Sequence, residues 1–145
     1  MIATVLVALD ASARAPGVLA AATEIAARFD ARLILYRAIT VPPDFPAAAH
    51  AAHGDPLPAY LLRAATSELE SLAADNPRAR VEPPVVTVGQ PWRAIVDIAD
   101  RLQVDLIVIG SHGYHGLDRI LGTTAGRVAN HAHRNVLIVH AEASS

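Results

Sequence analysis

Five short runs of β-branched and aliphatic residues constrain this chain more than any other feature: IATVLVAL at 2–9, RLILYRAI at 32–39, VEPPVVTV at 81–88, DLIVI at 105–109 and NVLIVH at 135–140. The first is apolar on both faces, as a strand covered by helices on each side must be, and the fourth reads as another buried parallel strand. Between the runs, apolar residues recur at helical spacing. Val18, Ala22, Ile25 and Phe29 form one face. Leu61, Ala65, Leu69 and Leu72 form a second within 59–74. Trp92, Ile95, Ala99 and Leu102 form a third, and 123–132 reads as a short fourth helix. Strands alternating with helices predict βαβ units with right-handed crossovers, hence an open five-stranded parallel sheet with helices on both faces, an α/β Rossmann-like class.

Proline and glycine punctuate this pattern. Residues 40–58 carry five prolines and should form an irregular excursion. Asn76-Pro77 ends the second helix, and Pro83-Pro84 breaks the start of the third strand. Pro91, after Gly89 and Gln90, stands at the first turn of the third helix, where its missing N–H costs nothing. A length of 145 residues fits one domain, 1–145.

Composition removes several function classes. The formal net charge is −2 with both signs interspersed, so the stripe of basic residues that drives nucleic-acid binding is absent. All 12 basic residues are arginine, which excludes a Walker-type phosphate loop and Schiff-base chemistry, since both need lysine. With no cysteine, disulfides, thiolate catalysis and cysteine-ligated zinc are excluded too, and a reducing compartment is suited. The apolar start lacks a basic n-region and is interrupted by Asp10, so it reads as a strand rather than a secretory signal. No apolar run approaches the roughly 20 residues that cross a bilayer. A soluble, cytoplasmic protein is expected.

In an open parallel sheet the ligand crevice lies at the carboxyl ends of strands whose crossovers leave in opposite directions. Here those ends carry Asp10, after the first strand, and Gly110-Ser111-His112-Gly113, after the fourth. Gly110 and Gly113 would let backbone amides approach an anion without hindrance from a Cβ, and Gly122-Thr123 at the head of the last helix would add helix N-terminal amides and hydroxyls. A phosphate chain fits that arrangement. Two plainer readings stand beside it: the glycines form a tight strand-to-helix connection, and Asp10 caps the first helix or ties down its own turn. Neither G-x-G-x-x-G nor G-x-x-x-x-G-K-[ST] occurs.

The chain resembles the universal stress protein family, whose nucleotide-binding branch carries G-x2-G-x9-G-[ST] after the fourth strand. TVLVALDASARA looks like that family's first strand and terminal Asp, VTVGQPWRAIVDIADRLQVDLIVIGSHG like its third strand through its fourth, and NVLIVH like its closing strand. The resemblance covers nearly the whole chain and is weakest over 40–58. It implies strand order 3-2-1-4-5, ATP binding (or ADP or AMP), with magnesium bridging the phosphates, and homodimers paired through the last strand. Carried over, the backbone around Ala8 and the carboxylate of Asp10 contact the nucleoside, and Ala38 and Ile109 flank adenine. Gly110, Gly113, Gly122, Thr123 and Thr124 hold the phosphates. One departure stands out: eight residues separate Gly113 from Gly122, where the family pattern has nine, so the cradle is either shortened within 114–121 or lost.

Other candidates are weaker. Arg119 and Arg127 could meet phosphate oxygens, but solvated arginines are commoner, and they stay outside the assigned site. His112/His115 and His131/His133 lack the i, i+4 pairing with a nearby acid that marks zinc hydrolases, so no protein-bound metal is assigned. His50 and His53 read as loop residues. Ser111 lacks a nucleophile elbow, so no catalytic residue is assigned, and Trp92 reads as core or interface. The last strand, Val136 to Val139, is an apolar edge that a two-fold partner would cover. The leading reading is a nucleotide-dependent regulatory dimer in the stress response, with no membrane or nucleic-acid partner. The alternatives are a nucleotide-independent interaction module of the same fold and a slow ATPase using Asp10 or Asp118.

Overall fold

Successive strand side chains point to opposite faces, and this alternation divides the interior into two layers. The computed structural model describes residues 1–41, 57–111 and 122–142. Within them β1 (Thr4–Ala8) lies between β2 (Arg32–Ile39) and β5 (Leu106–Gly110), all parallel. Beyond β5 runs β6 (Asn135–Val139), also parallel. On the other side β2 pairs with both β3 (Arg80–Val81) and β4 (Val85–Val88).

The third strand expected at 81–88 is therefore two short strands in one lane, giving six strands in the order β3-β2-β1-β5-β6 with β4 also on β2. Pro83 and Pro84 are the physical reason. Neither has an N–H to give the ladder, so pairing stops after Glu82 N–H reaches Leu33 O at 2.9 Å and resumes where Val85 lies opposite Tyr36.

Val5, Val7, Leu33, Leu35, Leu106 and Val108 face the layer of α1 (Ala15–Phe29) and α2 (Leu57–Ala74). Leu6, Ile34, Tyr36, Ile107 and Ile109 face α3 (Pro91–Arg101) and α4 (Thr123–His131). Most residues of the expected helical faces are buried or half-buried. Phe29 and Leu102 are corrections, exposed at 55% and 38%. Each stands at the end of its helix, just before or beside a left-handed residue, Asp30 (φ 52°) or Gln103 (φ 51°), that turns the chain back toward the sheet. Helical periodicity marks a face but not how far the opposing layer extends.

Three polar ties secure the ends of these elements. The Asp105 carboxylate accepts the N–H groups of Ala3 and Thr4 at 2.9 and 3.0 Å, joining the starts of β5 and β1. The Asn76 amide donates to Thr23 Oγ1 at 2.7 Å, joining the end of α2 to α1. Asp100, at the end of α3, accepts Arg134 Nε at 3.0 Å and lies 2.9 Å from His133 Nδ1, just before β6. No helix among the described residues is long and apolar enough to cross a membrane.

Candidate functional site

The chain leaves β1 for α1 on one face of the sheet, whereas β5 is followed by α4 on the other. The connections leave these paired carboxyl ends in opposite directions, and a crevice opens between them because no crossover fills it. It is a cleft of about 340 Å³. Ala8, Asp10, Ala38, Ile109, Gly110, Gly122, Thr123 and Thr124 all line it, so residues far apart in sequence meet around one space. Gly113, Gly116, His112, His115, Asp118 and Arg119 lie outside the described residues, as do His50 and His53.

The wall from β1 is held by its own turn. The N–H of Ser12 donates to Asp10 Oδ1 at 2.9 Å, so the carboxylate ties down the turn, as one of the plainer readings expected. It does not cap α1: that helix starts after Arg14, without a side-chain capping bond. Asp10 is exposed and faces the cleft as well.

The opposite wall is the head of α4. Gly122 is its N-cap residue, with φ −58° and ψ 157°, and Gly122 N–H donates to Ser111 O at 2.9 Å. Ser111 N–H in turn donates to Val139 O at 2.9 Å. The connection from β5 to α4 is thus pinned where it leaves the strand and where it enters the helix. Gly122-Thr123 begins α4 despite the shortened spacing. The first turn of a helix leaves N–H groups without intrahelical partners and carries a partial positive charge. No acidic side chain in the first turn of α4 offsets that charge.

Tyr36 and Arg37 line the floor of the cleft, and neither was singled out from the sequence. The Tyr36 hydroxyl lies 2.5 Å from Thr87 Oγ1 on β4. Burial is the main cause that holds its pKa above the usual phenol value, with a smaller lowering from the Thr87 hydrogen bond. Arg37, whose side chain is 10% exposed, donates from Nε to Leu9 O at 3.0 Å and from Nη2 to Asp10 O at 3.2 Å. Its Nη1 meets Glu68 Oε2 on α2 at 2.6 Å. A charged residue set among apolar ones inside the run, unlike Arg32 at its start, is the sequence signal for it. Pro91 and Ile95, from α3, close the cleft beneath Tyr36 and Ala38 with apolar surface.

Other candidates sit outside this cleft. Arg127 lies with its Cζ 5.7 Å from the centroid of the Trp92 ring, and His131 packs against the same ring at 4.7 Å between centroids with the planes tilted by 42°. His131 Nδ1 is 2.9 Å from Arg127 O. Among the described residues no group of three or more histidine or acidic side chains could hold a metal ion.

The sequence profile of the universal stress protein family matches residues 1–140. The chain belongs to the universal stress protein family. Universal stress protein A homolog 2 of Coxiella burnetii is 32% identical over 140 residues, spanning 97% of this chain and 94% of that protein. Among solved structures of the family, a universal stress protein in complex with cAMP superposes with a TM-score of 0.71 at 28% identity, over 97% of this chain and 98% of that one. The universal stress protein from Archaeoglobus fulgidus in complex with dAMP gives a TM-score of 0.63 at 25% identity, over 95% of this chain and 98% of that one.

Proposed function

We propose that this member of the family binds an adenine nucleotide in the cleft at the carboxyl ends of β1 and β5, and acts in the stress response as a nucleotide-dependent regulator. The observation that carries the reading is the convergence of Asp10, Gly110, Gly122, Thr123 and Thr124 on one cleft. An acceptor for hydroxyls sits on one wall, and a helix N-terminus suited to an anion sits on the other. Family structures holding cAMP and dAMP support the ligand class.

In this reading Asp10 and the backbone at Ala8 meet the nucleoside, Ala38 and Ile109 flank adenine, and Gly110, Gly113, Gly122, Thr123 and Thr124 meet the phosphates. ATP is the favoured ligand, with ADP and AMP as relatives, and magnesium, when bound, would neutralise and bridge the phosphates. The working form is a cytoplasmic homodimer joined through Val136 to Val139, on the strand that ends the sheet. Titration calorimetry with ATP and magnesium should show saturable binding that Gly122→Val weakens about tenfold or more, because the added side chain would keep a phosphate from the N–H groups of the first turn of α4, the scale of a lost hydrogen bond to a charged group. Equal binding by Gly122→Val would refute the assigned site. Light scattering at micromolar concentration tests the dimer, and a persistent monomer would rule it out.

The one-residue shortening between Gly113 and Gly122 favours a second reading, a nucleotide-independent interaction module of the same fold. Protein purified without added nucleotide and free of any adenine compound, and still failing to bind one on titration, would establish it.

A further inference from the structure

We propose that Arg37 is a positioning residue of the cleft, holding the turn after β1 in the arrangement that presents the Asp10 carboxylate to a ligand. The proposal rests on the nucleotide reading for the identity of that ligand, and on geometry alone for the role of Arg37. The β1 ladder ends at Ala8, opposite Tyr36 on one side and Ile109 on the other. Leu9 N–H still donates to Tyr36 O at 2.8 Å, but the carbonyls of Leu9 and Asp10 lie beyond the last bond of that ladder and need donor partners of their own.

Arg37 supplies what the ladder does not. Its guanidinium bonds both carbonyls, at 3.0 and 3.2 Å. From the other end, Ser12 N–H holds Asp10 Oδ1. The backbone and the side chain of Asp10 are thus fixed by separate donors. The third bond of the guanidinium, to Glu68 at 2.6 Å, anchors it to α2 and balances its charge. That balance argues for a positioning role over service as a counter-charge for phosphate. A planar fork with several fixed donors can serve three acceptors on two segments, the turn after β1 and α2, and a lysine ammonium on a flexible stem cannot reproduce that pattern.

The test uses Arg37→Met and the milder Arg37→Lys in the full chain, with two readouts. The first is amide hydrogen exchange at Ser12 in ligand-free protein, referenced to the core amide of Val7. The second is titration with adenosine and with AMP. Ser12 should exchange about tenfold faster or more in both variants while Val7 is unchanged, on the scale of a lost hydrogen bond from a charged donor. Adenosine and AMP affinity should fall by the same factor, about 10- to 100-fold, with the lysine variant resembling the methionine variant rather than the wild type. If the methionine variant fails to fold, the lysine variant decides. Unchanged Ser12 exchange would overturn the proposal, and so would weakened AMP binding with adenosine binding intact, which marks a phosphate counter-charge. Wild-type protein that binds none of adenosine, AMP and ATP with magnesium would overturn the nucleotide reading instead, leaving Ser12 exchange to decide the role of Arg37.

Discussion

Replacing Leu69 by alanine should destabilise the protein far more than truncating an exposed helix residue such as Phe29. Leu69 is fully buried, and along α2 only Ala65 shares that degree of burial among side chains the structure describes. A helix of 18 residues is thus fastened to the sheet chiefly through one large side chain, with Leu72 and Ala73 half-buried beside it. Leu→Ala at such a site loses the transfer free energy of the deleted carbons and leaves a cavity, together about 3–5 kcal/mol. Relaxation around the half-buried neighbours favours the lower end, about 3 kcal/mol. At about 2–4 °C per kcal/mol for a chain of this size, the melting temperature should fall by about 6–12 °C. Urea unfolding followed by circular dichroism measures the change, with Phe29→Ala as the contrast. Phe29 is 55% exposed, so its truncation should cost well under 1 kcal/mol. A loss below 1 kcal/mol for Leu69→Ala, or equal losses for the two variants, would refute the view that α2 is anchored at this point.

Two further outcomes are expected. A methyl group added at Gly17 would sit 2.8 Å from the Cβ of Ala141, so Gly17→Ala should cost about 1–3 kcal/mol through overpacking. Ala141→Gly should restore most of it, and a double-mutant cycle in urea that shows no coupling would contradict the contact. The Asp105 carboxyl is held below its ordinary value of 3.8 chiefly by the backbone N–H groups of Ala3 and Thr4. Asp100 is held below 3.8 by His133 and Arg134. A carboxyl whose folded pKa is depressed contributes stability above its unfolded value, and that contribution is lost as pH falls through the folded value. Stability should therefore decline as pH drops below about 4, and Asp105→Asn should flatten that decline in urea midpoints measured from neutral to acid pH. An unchanged slope would show that Asp105 does not supply it.

Much of the architecture was legible because it depends on local periodicity. The run RLILYRAI marks β2 at its observed bounds, Arg32–Ile39, since a strand covered on both faces reads as a near-continuous apolar run, here Leu33 to Tyr36 between two arginines. The head of α4 was legible from Gly122-Thr123, and both sides of the crevice from Asp10 and Gly110, because ligands in a parallel sheet bind at the carboxyl ends of strands whose crossovers leave in opposite directions. The split of the third strand was half visible: Pro83-Pro84 announced a break, but only the pairing partner shows that both pieces lie against β2.

Arg37 and Tyr36 mark the limit of that reading. By itself the sequence determined the α/β class and the strand segments, which follow from side-chain period, and pointed to the two loops that meet at the crevice, while the order of the strands followed only from the family resemblance. Only the tertiary structure decided that Arg37 reaches back to the carbonyls of Leu9 and Asp10 and outward to Glu68, and that Phe29 and Leu102 lie beyond the layers their helices cover. Those contacts join elements 27 to 31 residues apart. Their existence depends on how far one layer overlaps the next, a quantity that no local pattern encodes.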